Sequence, residues 1–416
     1  MTVVSFLGGA HLRKGGFGLV GVPLIGRSTA EQGHHVIMVV CGRPSPGSEQ
    51  FVVPDIQTAL TRKEGTGTFG IILARAWGVW AFAPQILWQF NEAVRQADFV
   101  TLHSLYSFPV LAGYILARRH NKPYGFWPHG VLAPFQRKVS PIRKWVYDKL
   151  IGRRLLDEAS VLFFSAPGER DETADMKLRA PSAVIPHGID TQAFAKLPRR
   201  GNFRRQYLND HRGPLVMFLA RLNAKKGIQL LTQAMRHVLE RIPDARLAIV
   251  GPPDPPSFER LVKQWVRDNG IEANTVLTGQ VSNDGRLDAL ADADVFVLPS
   301  EAENFGFSVF EAMASRVPVV VRDSLNYAGE IASRHAGFAT GRDPEELAAA
   351  IAQLLEDPGL CKEMGANGVE MARDYSWTSN GTHIEIAMEC ILNRRPLPVE
   401  VSGQSGEARR VNEVHR

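Results

Sequence analysis

Short apolar runs alternate with helix-length stretches of mixed polarity along most of the chain. The runs are rich in Val, Ile, Leu and Phe and lack strict alternation, which is typical of parallel strands buried on both faces. They lie at residues 3–7, 35–40, 99–102, 123–127, 161–164, 183–185, 215–219, 245–250, 275–277, 295–298 and 317–321. Helical periodicity is found between them, for example at residues 227–241, 258–269 and 345–356. The pattern predicts an α/β protein with two doubly wound domains.

A polar stretch separates the two groups of predicted elements. It contains Pro198, Gly201 and five arginines, so we predict an exposed linker. The predicted division is a first domain at residues 1–195, the linker at 196–212, a second domain at 213–375, a last helix at 376–395 and a disordered tail at 396–416.

Composition and charge narrow the class of protein. The chain has 416 residues, of which 44% are hydrophobic and 22% charged, which excludes a disordered, collagen-like or coiled-coil chain. Residues 1–195 carry 21 Lys and Arg against 14 Asp and Glu, whereas residues 213–416 carry 21 against 28. The basic front half therefore suggests an anionic partner.

The chain shows no sequence feature of a secreted or membrane-spanning protein. Its three cysteines, Cys41, Cys361 and Cys390, are too few and too scattered for a disulfide framework or a zinc site. No apolar run is long enough to cross a bilayer, and no charged region precedes the first apolar run. We therefore expect a cytoplasmic protein with reduced thiols.

A glycine-rich stretch follows the first predicted strand, and residues 16–21 match the dinucleotide pattern G-x-G-x-x-G. In a dinucleotide site the glycines follow the strand directly, and an acidic residue ends the second strand. Here several residues intervene, and the second strand ends Cys41-Gly42-Arg43. An NADP-dependent oxidoreductase, a tight strand-to-helix turn and a glycine loop that approaches a ligand all remain open.

Cations follow the first strand of the back half. Arg221 ends that strand, and Lys225 and Lys226 open the next predicted helix. Lysines at a helix start oppose the macrodipole, which favours anions there. A bound diphosphate between Arg221 and Lys226 would remove this conflict, and the alternative is a solvated charge run.

Two glutamates follow the strand predicted at residues 295–298. Glu303 and Glu311 lie eight residues apart, and either carboxylate could accept hydrogen bonds from sugar hydroxyls. Ser308 and Glu311 also form an S-x-x-E capping box, which predicts a helix start near Val309 and offers Glu311 a structural role. The sequence suggests no such role for Glu303.

Together these motifs resemble the retaining glycosyltransferases of family 4, whose E-x7-E signature is matched by Glu303 to Glu311. The other matching motifs are Phe218-Leu-Ala-Arg221, Lys226-Gly227, Ala293-Asp-Val-Phe-Val-Leu-Pro-Ser300, Val184-Ile-Pro-His-Gly-Ile-Asp190, Trp127-Pro-His-Gly130 and the Gly15-Gly16 loop. The resemblance covers roughly residues 1–392. It implies a GT-B fold, in which two Rossmann-like domains face each other across a cleft and the last helix crosses back to the first domain.

The resemblance also implies which residues act on the donor. Arg221 and Lys226 match the pair that neutralises the donor diphosphate, and Glu303 matches the residue that accepts hydrogen bonds from the donor sugar. His129 matches the histidine that touches the transferred sugar. The implied chemistry is a metal-independent, front-face retaining transfer with neither a cofactor nor a bound metal.

Donor binding is implied at further positions, with one departure from the family pattern. Glu311 matches the residue that holds the nucleotide ribose. The remaining implied donor-binding positions are Gly15, Gly16, Asn304, Phe305, Gly306, Phe307, Ser308 and Val309. The family usually has Pro-Asn-Gly where this chain has Pro186-His187-Gly188.

The pair Asp292-Ala-Asp294 resembles the metal-binding D-x-D motif of a different glycosyltransferase fold. It lies where a predicted helix runs into a strand, so we interpret both carboxylates as structural.

The expected partners are a UDP- or GDP-sugar donor and a glycan or lipid-linked glycan acceptor in cell-surface polysaccharide synthesis. Residues 137–158 carry seven Lys and Arg against three acids, with apolar residues interleaved. This segment predicts either a helix packed on its domain or a basic face on the inner surface of an anionic membrane. Aromatic residues between Trp77 and Phe90 could flank a lipid tail or pack in the core. No nucleic acid is expected, and a GT-B-shaped sugar-nucleotide epimerase is an alternative function.

Overall fold

The computed structural model describes residues 1–8, 17–41, 49–78, 80–138, 140–303 and 305–402. The chain forms two compact units. The first unit comprises Met1–Gly188 and Trp377–Arg416, and the second comprises Ile189–Ser376. The chain therefore leaves the first unit once and returns to it for its last helices.

Eight strands form one sheet in the described part of the first unit, in the order β3-β4-β2-β1-β5-β6-β7-β8. All neighbours are parallel except β3 and β4, which are antiparallel. The strands are β1 (Thr2–Leu7), β2 (His35–Cys41), β3 (Lys63–Glu64), β4 (Gly67–Ala74), β5 (Phe99–His103), β6 (Tyr124–Trp127), β7 (Val161–Phe164) and β8 (Ser182–Val184).

The second unit contains a fully parallel sheet, with the strand order β11-β10-β9-β12-β13-β14 in the described residues. Its strands are β9 (Leu215–Leu219), β10 (Arg246–Val250), β11 (Thr275–Gly279), β12 (Val295–Leu298), β13 (Val319–Arg322) and β14 (Gly337–Thr340). Most strand residues are buried, as the sequence pattern predicts for parallel strands covered on both faces.

Helices connect the strands of both units and are numbered in chain order. Those of the first unit are α1 (Phe17–Glu31), α2 (Ile56–Thr61), α3 (Ile86–Gln89), α4 (Asn91–Gln96), α5 (Phe108–Arg119), α6 (Pro134–Arg137), α7 (Pro141–Tyr147), α8 (Arg153–Asp157), α9 (Pro167–Asp171), α19 (Trp377–Leu392) and α20 (Val399–Ser402). Those of the second unit are α10 (Thr191–Ala195), α11 (Asn202–Tyr207), α12 (Ile228–Arg241), α13 (Phe258–Asp268), α14 (Asn283–Asp292), α15 (Phe307–Ala314), α16 (Ala328–Ser333), α17 (Pro344–Glu356) and α18 (Pro358–Asp374).

Each predicted apolar run forms a strand, but β3, β4 and β14 were not predicted. Strand β4 contains two glycines, which obscure its apolar pattern. At Gly67 a Cβ atom would lie 2.1 Å from the His34 carbonyl oxygen, and at Gly70 it would lie 2.6 Å from the Ala59 Cβ. These glycines let the strand approach its neighbours closely, so the feature that hides it from sequence inspection is a packing requirement.

The predicted linker at residues 196–212 is wrong, because this stretch lies inside the second unit. It contains α11, in which Phe203 and Arg204 are buried. The predicted tail is also partly ordered, because α20 forms within it and buries Val401. Residues 403–416 of that tail lie outside the described residues.

Asp292 and Asp294 bind Arg204, one of the five arginines of the predicted linker. The buried carboxylate of Asp292 accepts backbone N–H bonds from Gly201 and, at 2.9 Å, from Arg204. Asp294 accepts bonds from the Arg204 guanidinium and from the Leu215 N–H, at 2.9 and 2.8 Å. The two carboxylates thus hold α11 against the amino ends of β9 and β12, in agreement with their structural interpretation.

Helix α19, which corresponds to the predicted last helix, belongs to the first unit and packs against α1. The Ser28 hydroxyl donates a hydrogen bond to the Asn380 amide oxygen at 3.1 Å, and a Cβ atom at Gly381 would lie 2.4 Å from the Ser28 carbonyl oxygen. Ile384 and Met388 join the apolar core on this face of the sheet. Among the described residues, none of the helices combines the length and the apolar character that crossing a bilayer requires.

We expect Asp292→Asn to lower the free energy of unfolding by about 1–3 kcal/mol. Both carboxylate oxygens accept backbone N–H groups, so an amide nitrogen at either position would face a donor and leave it unpaired. Urea denaturation measures the change. Asp288→Asn on the same helix is the control, since the described residues that bond to Asp288 comprise only Asn202, whose side-chain amide can rotate to suit. Equal losses in the two variants would contradict this account of Asp292.

Candidate functional site

The side chains that the sequence singled out in the second unit follow two neighbouring strands. Arg221 and Lys226 follow β9, and the segment from Glu303 to Glu311 follows β12. Because β9 and β12 are adjacent and parallel, their carboxyl ends meet at one edge of the sheet. Ligands of open α/β sheets bind at this edge.

A close backbone contact joins the loops after β9 and β12. Gly227 has φ 66°, and a Cβ atom there would lie 1.9 Å from the Pro299 carbonyl oxygen. The Glu301 N–H also donates to the Lys225 carbonyl oxygen at 2.8 Å. Only glycine combines this left-handed backbone with so short an approach. The contact holds residue 226 beside the loop that carries Glu303.

Lys226 and Glu303 form a partly buried ion pair at this contact. The Lys226 Nζ lies 2.5 Å from the Glu303 Oε1, and the two side chains are 17% and 10% exposed. The Ser300 hydroxyl donates to the same Oε1 at 2.7 Å. The sequence suggested no structural role for Glu303, and this is wrong, because Glu303 anchors the Lys226 ammonium.

Arg221 makes a different and more exposed ion pair. Its Nη1 lies 2.8 Å from the Asp254 Oδ2, and each side chain is more than half exposed. An exposed pair of this kind contributes little to stability, because water and salt screen it. Its guanidinium can therefore exchange Asp254 for an incoming anion at small cost.

Helix α15 begins earlier than predicted. Gly306, at φ 78°, is its N-cap residue and Phe307 is its first residue, so Ser308 lies inside the helix. The predicted capping box of Ser308 with Glu311 is therefore wrong. The left-handed glycine lets the backbone turn into the helix, and the helix start carries the positive end of the helix dipole.

The other residues predicted along this segment differ in their surroundings. Phe305 and Val309 are buried, and Phe307 and Ser308 are partly exposed. The Val309 N–H is occupied by the Gly306 carbonyl oxygen at 2.9 Å. Asn304 lies outside the described residues.

Glu311 points into the unit and pairs with an arginine that the sequence did not single out. Its Oε1 accepts a bond from the Arg286 Nη1 at 2.7 Å, and its side chain is 9% exposed. Burial raises the pKa of Glu311, and the nearby Arg286 opposes that effect. Arg286 comes from α14 and also covers the Phe194 ring at 5.5 Å. A single arginine on a helix gives no sequence signal for this role.

His129 lies at the end of β6 in the first unit, in a strained turn. His129 has φ 52° and Gly130 has φ 78°. The Gly130 N–H donates to the Glu169 Oε1 at 2.6 Å, and the Ser165 N–H and hydroxyl both donate to its Oε2 at 2.7 Å. Burial raises the pKa of Glu169, and the bonds from Ser165 oppose that effect. Glu169, which sequence analysis missed, thus fixes the turn that presents His129.

Three histidine rings stack beside this turn. The His103 Nδ1 lies 3.1 Å from the His129 Nε2, with the rings nearly parallel, and the His187 ring centroid lies 5.9 Å from that of His129. Burial lowers the pKa of both His103 and His187, with further lowering by their histidine neighbours. His187 stands where the family that the sequence resembles usually has Asn. The predicted Gly15 and Gly16 lie outside the described residues.

The site in the second unit offers two kinds of ligand group. Lys226, Arg221 and the start of α15 suit an anion, and the carboxylates of Glu303 and Glu311 suit hydroxyl groups. Among the described residues, no group of three or more His, Cys, Asp and Glu side chains is arranged to hold a metal ion. This combination matches the chemistry of a nucleoside diphosphate sugar.

Two family descriptions match the chain, one in each half. The family described as Glycosyltransferase Family 4 matches residues 24–193, and that described as Glycosyl transferases group 1 matches residues 199–371. Together they cover most of both units.

Curated relatives with mannosyltransferase names match part of the chain. A GDP-mannose-dependent alpha-(1-6)-phosphatidylinositol monomannoside mannosyltransferase of Mycolicibacterium smegmatis is 31% identical over 56% of this chain and 63% of its own length. A phosphatidyl-myo-inositol mannosyltransferase of Mycobacterium tuberculosis is 31% identical over 51% of this chain and 55% of its own. The chain thus spans less than two thirds of the length of these relatives.

Solved structures share the fold at low sequence identity. Sucrose-phosphate synthase from Thermosynechococcus elongatus matches with a TM-score of 0.67 and 19% identity, covering 94% of this chain and 99% of its own. HepE from Anabaena in complex with UDP matches with a TM-score of 0.69 and 18% identity, covering 93% and 99%. These are GT-B structures, so both units have the Rossmann-like architecture of that fold.

The histidine stack makes stability depend on pH. Because folding lowers the pKa of His103 and His187, the unfolded chain binds more protons below its histidine pKa of about 6.5. Stability is then complete above that pH and falls as the pH drops toward the lowered folded-state values. We expect the melting temperature to be lower at pH 5.5 than at pH 7.5, and His187→Asn to reduce that difference. His237→Asn, at a partly exposed position, is the control, and an unchanged pH dependence in His187→Asn would contradict the assignment.

Proposed function

Because the chain belongs to glycosyltransferase family 4, we propose that it moves a hexose from a nucleoside diphosphate sugar to a saccharide or lipid-linked saccharide with retention of configuration. The observation that carries the proposal is the Lys226–Glu303 pair next to the start of α15. A cation, a carboxylate and the start of a helix thus lie together at the carboxyl ends of the strands of one sheet.

The cations of the second unit suit the departure of a nucleoside diphosphate. Breaking the bond between the anomeric carbon and the phosphate oxygen places growing negative charge on the diphosphate. Lys226, Arg221 and the first N–H groups of α15 would stabilise that charge, and such preorganised groups supply several kcal/mol. Glu303 and Ser300 keep the Lys226 ammonium in place before the donor arrives.

The carboxylates suit the hydroxyl groups of the donor. We assign Glu303 to the transferred sugar and Glu311 to the ribose of the nucleotide. Arg286 supports the second assignment, since its charge favours the ionised form of an otherwise buried carboxyl. A GDP-mannose-dependent relative and a structural neighbour in complex with UDP are consistent with a UDP- or GDP-sugar donor.

The histidines of the first unit suit a hydrogen bond to the sugar. A hydrogen bond between His103 and His129 needs one nitrogen to donate and the other to accept, so each ring constrains the protonation of its neighbour. We assign His129 to the transferred sugar, with Glu169 holding its turn in place.

The two alternative functions explain less of the chain. An NADP-dependent oxidoreductase would bind its cofactor in the first unit, and it leaves Lys226 and Glu303 of the second unit without a role. A sugar-nucleotide epimerase would use the same donor groups but would transfer nothing to an acceptor. The curated relatives are named as transferases, which favours transfer.

An apolar surface on the first unit favours a lipid-linked acceptor. Segment 141–157, formed by α7, a π-helical turn and α8, buries Tyr147, Leu155 and Leu156 in the core. The same segment exposes Ile142, Trp145, Val146 and Leu150, by 77%, 61%, 43% and 73%. One face of this segment is therefore packed on the domain, and the other is open to solvent.

Further groups extend this exposed face. Trp80 packs edge-on against the Tyr147 ring at 6.3 Å and is itself partly exposed. Lys149 covers the Trp145 ring at 5.2 Å, and Arg143 is exposed. Exposed tryptophan and leucine with nearby cations suit the surface of an anionic bilayer. We propose that this face docks on the inner surface of a membrane that holds the acceptor.

We expect Lys226→Ala to slow transfer by a factor corresponding to about 2–4 kcal/mol of barrier, as for a removed oxyanion donor. Lys225→Ala, at its exposed neighbour, should stay near the parent rate. Transfer from UDP- and GDP-sugars to a lipid-linked saccharide, assayed with and without EDTA, measures both effects. Activity of the parent should survive EDTA, and its loss with recovery on adding manganese would contradict the assignment of Lys226.

Docking on the membrane is tested with vesicles. The parent should sediment with anionic vesicles at low salt and be released as the salt concentration rises. Changing Trp145 and Leu150 to Ser should abolish sedimentation, because these side chains would no longer insert. Leu261→Ser, at an exposed position of the second unit, is the matched control. Equal sedimentation of the parent with neutral vesicles would contradict the role of the cations.

A further inference from the structure

Tyr327 carries a buried hydroxyl that nothing in the described part of the chain satisfies. The residue follows β13 and precedes α16, and it is 6% exposed. Its hydroxyl has no hydrogen-bond partner among the described residues. Buried polar groups are nearly always paired in native structures, so an unpaired hydroxyl requires an explanation.

The hydroxyl lies at the start of α15. A Cβ atom at Gly306 would lie 2.1 Å from the Tyr327 hydroxyl oxygen, so only glycine leaves room for it there. The ring of Tyr327 meets the Phe310 ring edge-on at 5.1 Å. Burial raises the pKa of Tyr327, and the charge of Glu303 raises it further. The hydroxyl therefore remains protonated, and it can donate a hydrogen bond close to Glu303.

The Glu303 carboxylate offers the complementary group. Both hydrogen bonds that described residues make to Glu303, from Lys226 and Ser300, end on Oε1. The second oxygen is thus available to a ligand. The loop after β12 and the loop after β13 together present a hydrogen-bond acceptor and a donor.

A sugar hydroxyl is the group that fits such a pair, because it donates one hydrogen bond and accepts others. We propose that Tyr327 recognises one hydroxyl of the transferred sugar. The Tyr327 hydroxyl donates a hydrogen bond to the sugar oxygen, and the Glu303 carboxylate accepts a hydrogen bond from the same sugar hydroxyl. This role rests on the proposed function of the site. A donor lacking that hydroxyl loses both bonds and leaves two buried groups unpaired, so Tyr327 sharpens the choice of sugar.

A packing role alone does not explain a tyrosine at this position. Phenylalanine would fill the same space against Phe310 without burying an unpaired hydroxyl. Tyr375, which packs against the same Phe310 ring at 4.3 Å, shows the alternative, because its hydroxyl donates to the Glu330 Oε2 at 2.5 Å. The two tyrosines therefore form a matched pair, one with a protein partner and one without.

The test compares Tyr327→Phe with Tyr375→Phe by calorimetry. Each variant and the parent are titrated with a panel of UDP-, GDP- and ADP-sugars and with the corresponding nucleoside diphosphates. In Tyr327→Phe we expect the affinity for the preferred sugar nucleotide to fall about tenfold, with the affinity for the diphosphate and the melting temperature not reduced. Tyr375→Phe should show the reverse, a lower melting temperature with normal sugar recognition.

Donors that lack one hydroxyl at a time locate the contact. Removal of the hydroxyl that Tyr327 recognises should weaken binding to the parent about a hundredfold, because the bonds to Tyr327 and Glu303 are both lost. Binding to Tyr327→Phe should weaken only about tenfold, because only the bond to Glu303 remains to be lost. Parent-like affinity for every donor in Tyr327→Phe would overturn the role of Tyr327 and leave the proposed function intact. Failure of the parent to bind any sugar nucleotide would overturn the proposed function and this role with it.

Discussion

The packing of the Gly227 backbone on the Pro299 carbonyl is the constraint on which the site of the second unit depends. It fastens the loop after β9 to the loop after β12 at a distance that no side chain tolerates. Lys226 precedes this glycine, so its ammonium is delivered to the Glu303 carboxylate. The attraction between the two groups offsets part of the cost of removing both from water. The ion pair therefore follows from a backbone contact.

The predicted site residue of the first unit, His129, lies beside neutral rings, in contrast to the ion pair of the second unit. The histidines of the first unit have one another as neighbours, and burial favours their neutral forms. The buried carboxylate of Glu169 is held by backbone N–H groups and a hydroxyl group, which are uncharged dipoles. The histidine turn is thus shaped by hydrogen bonds and strained dihedral angles, whereas the other unit holds its groups by charge.

Sequence patterns predicted most of the sheet framework and the residues of single motifs. The apolar runs of β1 and β9 are visible because both faces of those strands are buried, and Glu303 and Glu311 are visible because their spacing lies within one segment. Strand β4 escaped notice because its glycines serve packing. Arg286 and Tyr327 were not predicted, because they lie on elements separate in sequence from the segment that carries Glu303 and Glu311. Only the strand order brings these elements together. Asp292 was interpreted as structural, but its partners in α11 were mistaken for a linker.

The return of the chain at Trp377 bears on the order in which the protein is assembled on the ribosome. The second unit is one continuous stretch, so all of its sheet has been synthesised before α19. The first unit, although translated earlier, buries Ile384 and Met388 beneath α1 and its sheet. The apolar face that α19 covers therefore stays exposed until α19 has left the exit tunnel of the ribosome. The first unit is therefore synthesised first but completed last. During translation it exposes a hydrophobic surface of the kind that chaperones bind.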